Sequence, residues 1–274
     1  MTYWQAIDDE LARVSAEPAL ELVPSRTTVE STFYEVRLTS IGPYRIFATL
    51  SIPSGPGRFP ALLETPRYGS VNYLPHAHDR SRYVVLAVSH RGQRRADDGF
   101  AAAYPGLLTH GIEDPATYVY RGIVADCLRA GEFLLGLDAV DRSRVGVSGD
   151  DLALLTAARR PGFSAVRVRD LLLYRAMEAR EAGVYPHEEL NDQLRAGADE
   201  ILMSATLEHF DARAHAVEAD VLLATPDPAW VSSLTAVLPK SEVYHLTDDD
   251  GTDQDAWDAW LAHRLGVPAM PRFS

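Results

Sequence analysis

The chain has 274 residues, 46% hydrophobic and 24% charged, a composition that excludes a disordered chain, a collagen and a coiled coil, and a length at which about three quarters of the unfolded surface is buried. Its 39 acidic against 26 basic side chains leave a formal charge of −13, so its mean field repels nucleic-acid backbones and anionic membranes, and neither is an expected partner. Cys127 is the only cysteine and has no intrachain disulfide partner; no apolar run approaches the roughly 18 residues that span a bilayer. The opening MTYWQAIDDELARV carries acids where a signal peptide carries lysine or arginine. The expectation is a cytoplasmic protein.

Trp4, Ile7, Leu11 and Val14 recur at helical spacing until Pro18, which predicts an amphipathic first helix packed as a lid. Residues 27–39 are rich in β-branched and aromatic side chains. After a turn at Gly42 and Pro43, Ile46, Ala48, Leu50 and Ile52 alternate with their neighbours, so the two stretches predict an antiparallel hairpin. Short continuous apolar runs at 61–63, 83–88, 145–147 and 221–224 suit strands covered on both faces, the signature of a parallel sheet. Helical patterns over about 117–135 and 152–160 alternate with these runs and give a βαβ architecture.

Residues 171–216 break this rhythm with alanine-, glutamate- and arginine-rich stretches separated by Gly183, Pro186 and Gly197. They read as a helical cap excursion over the carboxyl edge of the sheet, inserted in one domain that covers residues 1–274. A strand at 242–246 and a helix at about 253–265 follow. The helix turns Trp257, Trp260, Leu261 and Leu265 inward and ends at Gly266 and Pro268. The predicted fold class is α/β, a mostly parallel doubly wound sheet with an N-terminal antiparallel hairpin.

In such a sheet the reactive loops gather at the carboxyl ends of the strands. Strand 144–148 runs into GDDL and then a helix, the strand, sharp turn and helix context of a nucleophile elbow. Gly146 and Ser148 match part of its G-x-S-x-G pattern, with Asp150 in the last glycine place. Ser148 falls at the end of the apolar strand, however, whereas the apex lies two or three residues later. That places Asp150 or Asp151 at the tip.

Arg91, Gly92 and Gln93, the stretch HGIEDPATYVYRGIVADCLRAGEFL at 110–134, and Val140, Asp141, Arg144, Val145 and Gly146 resemble the acetyl xylan esterase and cephalosporin C deacetylase family of α/β-hydrolases. The resemblance runs from near Phe59 to the last helix. It implies an α/β-hydrolase fold, self-association into homo-oligomers and, in family members, a serine that attacks an acetyl ester; no cofactor or metal is expected. Laid over GVSGDDLAL at 146–154, the family's G-x-x-G-G-S-Q-G-G puts Asp151 at the serine, Leu152 at the glutamine, and Ala153 and Leu154 at the last glycines. Asp249 stands at the family's histidine, with His245 four residues earlier on the strand. Asp227, in ATPDPAW at 224–230, is the one substitute for the acid. Tyr68, in PRYGS, matches the tyrosine whose backbone amide helps bind the oxyanion.

The candidate catalytic residues are therefore Asp150, Asp151, Asp227 and Asp249, and the candidate oxyanion- or substrate-binding residues are Tyr68, Leu152, Arg91 and Gln93. Serine hydrolysis needs a hydroxyl, a base and an orienting acid, and here carboxylates stand in the first two places. The expectation is a family member that lacks the serine–histidine–aspartate triad and is not an efficient serine esterase. Two classes follow: acid–base chemistry by Asp150, Asp151 or the 248–250 cluster on a small substrate under the cap, or a non-catalytic ligand-binding or scaffold protein. An ordinary esterase working through Ser148 and His245 is the third. Asp151 would be kept ionised by the helix N-terminus, with His245, His209 or His215 as the source of a base. The plain alternative is that one aspartate caps the helix and the other tolerates a left-handed turn. Buried, clustered carboxylates would favour acid–base chemistry, and solvated ones the binding role.

Three further motifs have simple alternatives. His76, His78 and Asp79 resemble a metal pair, or form a solvated loop. The acidic run 248–255 resembles a calcium loop, but Leu246 and Trp257 occupy its first and last ligand places, which leaves helix capping. Arg67, Arg82, Arg91, Arg94 and Arg95 form either a basic patch for a carboxylate or phosphate or local pairs with Glu64, Asp79, Asp97 and Asp98. Trp4, Trp257 and Trp260 read as core.

Overall fold

The alternating stretches form antiparallel β2 (Ser31–Thr39) and β3 (Arg45–Pro53), paired along their whole length from Ser31 opposite Pro53 to Thr39 opposite Arg45. A short β1 (Ala19–Leu22) extends the hairpin to a meander. All four of its residues are exposed, so it carries no alternation that a sequence reading could find. The structure is a computed structural model and describes residues 2–69, 74–93, 95–247 and 249–272.

The four apolar runs become β4 (Phe59–Glu64), β5 (Val84–Val88), β6 (Val140–Gly149) and β8 (Asp220–Thr225), and the strand expected at 242–246 becomes β9 (Ser241–His245). One more strand, β7 (Ala165–Arg169), lies between β6 and β8. Sheet order is β1-β2-β3-β5-β4-β6-β7-β8-β9; β3 joins β5 antiparallel, and every pairing beyond is parallel. Arg167 and Arg169 interrupt the apolar pattern of β7. Each is accommodated: Arg167 pairs with Asp258 at 2.6 Å, and the Arg169 guanidinium lies 4.6 Å from the centre of the Trp257 ring.

One face of the sheet is covered by α3 (Val119–Gly136) and α4 (Asp151–Arg159), whose Ala130, Leu134, Ala153 and Leu154 pack with Val145 and Val147 of β6. The other face meets α9 (Asp250–Arg264). Leu261 packs with Leu62, Val85 and Ala165, and Trp257 with Leu222 and Ala224. Trp257 is core as expected, while Trp260 is half-buried at its side. The first helix, α1 (Tyr3–Arg13), buries Trp4, Ile7 and Leu11 beside Leu128 of α3 and Leu155 of α4. Arg129 of α3 secures its end by donating to the Leu11 and Val14 carbonyls at 2.7 and 2.6 Å.

Between β7 and β8 the chain makes the helical excursion: α5 (Ala176–Ala179), α6 (Glu188–Arg195) and α7 (Glu200–Glu208). Two further single-turn α-helices are α2 (Ala77–Arg80) before β5 and α8 (Ser232–Thr235) before β9. Among the described residues no helix is long and apolar enough to cross a membrane.

Candidate functional site

Gly149 ends β6 where the strand runs against β4; a Cβ there would come within 1.8 Å of the Thr65 hydroxyl. Asp150 then turns the chain with φ −96° and ψ −146° and caps α4, which begins at Asp151. The bend therefore has its tip at Asp150 and uses no left-handed aspartate, which corrects the expectation that one of the pair adopts that conformation. An N-cap residue with negative φ suffices because its side chain holds a free amide of the first helix turn.

The two carboxyls have different surroundings. Asp150 Oδ1 accepts the Leu152 N–H at 2.9 Å, and the residue stands in the wall of a cavity of about 590 Å³ between the strand ends and the excursion. Asp151 is absent from that wall. Its Oδ2 accepts the N–H of Leu172 and, at 2.9 Å, that of Leu173, and its Oδ1 accepts the Tyr174 N–H at 2.8 Å. Both are buried, and burial pushes both above the ordinary carboxylate range. The Asp151 charge raises Asp150 further, whereas the backbone N–H groups hold Asp151 back.

The other candidates divide between the cavity and elsewhere. Tyr68 is in the cavity wall, its hydroxyl donating to Glu189 at 2.6 Å and accepting from the Leu108 N–H at 3.1 Å. The Leu152 amide is taken by Asp150. Asp227 borders the cavity but is exposed and accepts from Ala229 and Trp230 of its own turn. Asp249 is not in the wall; it is exposed and caps α9 through the N–H groups of Gly251 and Thr252. Arg91 is not there either, because it forms a two-toothed pair with Asp126 at 3.0 and 2.7 Å beneath Tyr44. Gln93 accepts the His90 N–H at 3.1 Å and borders a different cavity.

Ser148 lies on the face of β6 that looks toward α9, and its hydroxyl accepts from Arg167 Nε at 3.1 Å. His245 ends β9 and donates from Nε2 to the Pro226 carbonyl at 3.1 Å. Neither bonds the other. His209 stacks on Tyr3 at 4.3 Å and His215 reaches the His209 carbonyl, so both belong to the packing around α1. The histidine in the cavity wall is His187, whose Nε2 donates to the Leu172 carbonyl at 2.8 Å. Sequence reasoning missed it, having used the neighbouring Pro186 only as a helix breaker. Since a carbonyl only accepts, the neutral ring carries its proton on Nε2 and keeps the Nδ1 lone pair. Burial lowers its pKa and holds it neutral.

His76 caps α2 and His78 lies within it, both exposed, while Asp79 pairs with Arg82 and Arg272. Among the described residues no three His, Cys, Asp or Glu side chains gather as metal ligands. Asp248 lies outside the described residues; the rest of the acidic run serves α9, with Asp253 accepting from Thr247 and Tyr244. The arginines do not form one patch. Arg95 pairs with Glu35, Arg82 with Asp79 and Arg91 with Asp126, and Arg94 lies outside the described residues.

A mostly parallel open sheet with helices on both faces, a strand-to-helix bend at its carboxyl edge and an excursion above it define an α/β-hydrolase fold. The chain belongs to the acetyl xylan esterase family, since the family model described as Acetyl xylan esterase (AXE1) matches residues 1–226. That match includes the N-terminal segment, which the resemblance read from Phe59 onward did not. A curated relative, the acetyl esterase Axe7A of Xylanibacter ruminicola, is 24% identical over 206 residues, 68% of this chain and 46% of its own length. The chain thus spans about half the length of that relative. Among solved structures, an acetyl xylan esterase from Paenibacillus sp. R4 superposes with a TM-score of 0.83 at 21% identity, covering 95% of this chain and 93% of its own. Acetyl xylan esterase 1 from Thermoanaerobacterium sp. JW/SL YS485 gives 0.82 at 21% identity over 94% and 92%. These two likenesses establish the fold.

Proposed function

We propose that this family member is not an efficient serine esterase and acts on a small substrate beneath the helical excursion by general acid–base chemistry, with Asp150 as the acid. One observation carries the reading: a buried carboxyl stands at the tip of the β6–α4 bend, in the cavity wall, with Oδ1 already holding the Leu152 N–H. At neutral pH burial and the neighbouring Asp151 favour its protonated form. A neutral carboxyl with one oxygen committed as acceptor offers its O–H from the other. His187 in the same wall supplies a base, because its Nδ1 is unprotonated. The serine route is disfavoured on two counts. The Ser148 hydroxyl faces α9, and an oxyanion arriving at the Leu152 amide would meet a carboxyl already bound there.

A second reading, a non-catalytic ligand-binding protein, draws on the three backbone N–H groups that engage both oxygens of Asp151. Hydrolysis of p-nitrophenyl acetate by the purified protein, beside Ser148→Ala and Asp151→Ser, tests the common part of both. The expected result is trace turnover, within the roughly 10³-fold over water that binding and oxyanion contacts alone supply, unchanged by either substitution. Turnover abolished by Ser148→Ala would restore the ordinary esterase. Carbon-13 titration of Asp150 separates the other two: a midpoint well above the ordinary carboxylate range supports the acid, and an ordinary midpoint leaves the binding protein.

A further inference from the structure

Across the carboxyl ends of three adjacent strands, on the face that α9 covers, the register sets Glu64 of β4 beside Ser148 of β6 and Ser148 beside Arg167 of β7. This polar row replaces the apolar residues Leu62, Gly146 and Ala165, which occupy the same face two residues earlier. Around it lies a second cavity of about 250 Å³, bounded also by Arg67, Asp258 of α9 and Arg272. The cap cavity shares only Arg67 with it.

The charges here run against the whole molecule. Arg167 pairs with Asp258 at 2.6 Å, Arg272 with Asp258 at 3.0 Å and with Asp79 at 2.7 Å, and Arg82 with Asp79 at 3.0 Å. Three guanidiniums, of Arg67, Arg167 and Arg272, therefore face Asp79, Asp258 and Glu64 in the wall, while Arg82 pairs with Asp79 from outside it. The charged wall is balanced with Glu64 ionised and has a surplus of one positive charge with it protonated, in a chain of net charge −13. Two donors of the wall residues, Trp257 Nε1 and Arg272 Nε, are buried without an acceptor, against one acceptor without a hydrogen bond, Asp258 Oδ2, which is ion-paired to Arg272. Among the described residues, nothing hydrogen-bonds the Glu64 carboxyl. A recess with unsatisfied donors and one surplus positive charge when Glu64 is protonated suits a small monoanion, and planar guanidiniums suit a carboxylate. A cavity of about 150 Å³ holds benzene, so this one admits a carboxylate of benzoate size.

We propose that the cavity between α9 and the ends of β4, β6 and β7 is a binding site for a small monocarboxylate, gripped through Arg167 and Arg67 with Glu64 and Ser148 as hydrogen-bonding partners. The site stands apart from the acid–base reading of the cap cavity and does not depend on it.

Glu64 gives the site a pH dependence. Burial, Asp79 of α2 and Asp258 of α9 push its carboxyl up to about 7, against the lowering influence of Arg167 of β7 and Arg67. Protonated, it donates to the bound anion; ionised, it repels it. Calorimetric titration with sodium benzoate at constant ionic strength tests the site. Benzoate is expected to bind at least tenfold more tightly than neutral benzamide or inorganic phosphate, and more tightly at pH 6 than at pH 8. Glu64→Gln should abolish that pH dependence and Arg167→Lys weaken binding about tenfold, while Asp150→Asn leaves it unchanged. Equal affinity for benzamide, tighter binding of phosphate, or affinity indifferent to both Glu64→Gln and Arg167→Lys would overturn the proposal. A tenfold effect of Asp150→Asn would move the anion to the cap cavity and also overturn it. Should circular dichroism show Arg167→Lys unfolded, the near-isosteric Glu64→Gln decides alone.

Discussion

Asp150 and Asp151 are neighbours with separate tasks, one facing a cavity and the other wrapped by backbone. For Asp151 the task is structural. Asp151→Ala leaves three buried N–H groups without an acceptor and should lower stability by on the order of 3 kcal/mol, measured by urea unfolding. For Asp150 the expectation concerns pH. Its folded pKa lies above the unfolded value, so the folded chain retains a proton that the unfolded chain releases, and stability falls as pH rises from the ordinary carboxylate range toward neutrality. Glu64 acts in the same direction up to about 7. Melting temperature followed from pH 5 to 8 should therefore decline, and less steeply in Asp150→Asn. The turn and its two acids were legible in GDDL. Which acid faces the cavity was not, because that depends on how closely residues 172–174 approach from another part of the chain. His187 was equally hidden, its position set by the excursion's path and by no local period.

At the scale of elements, pattern served where one face of an element is buried and failed where charge or exposure replaced it. The first helix follows its apolar stripe but packs over α3 and α4, with the Trp4 indole donating to the His209 carbonyl at 3.0 Å. Trp4→Ala should cost about 3–5 kcal/mol through the cavity it leaves, visible as an earlier unfolding midpoint. The strand β7 escaped notice because two arginines occupy places where a parallel strand usually carries aliphatic side chains. The last helix starts at Asp250, earlier than its apolar stripe suggests, because Asp249 caps it. Asp249→Ala should accordingly lower the melting temperature slightly and leave any turnover unchanged. Loss of turnover at full stability would return Asp249 to the chemistry.

For the whole molecule, the net charge of −13 bears on how copies meet. We propose a homo-oligomer, as the family resemblance implies, and copies of like charge should associate more strongly when salt screens them. Sedimentation velocity at low and at about 0.5 M salt checks this; a monomer under both conditions rejects it. Leu20 and Leu22 on β1, 44% and 50% exposed at the sheet edge, are the apolar residues to substitute should association appear. The carboxylate that binds the amides of residues 172–174 also governs traffic. It rivets the root of the excursion to the bend at the end of β6, whereas the outer turn bearing Val184 and Tyr185 is 63% and 51% exposed at those residues. Val184 and Tyr185 also line the cavity, so we propose that a guest molecule passes that outer turn, with the length the chamber accepts set at this doorway instead of at its riveted back wall.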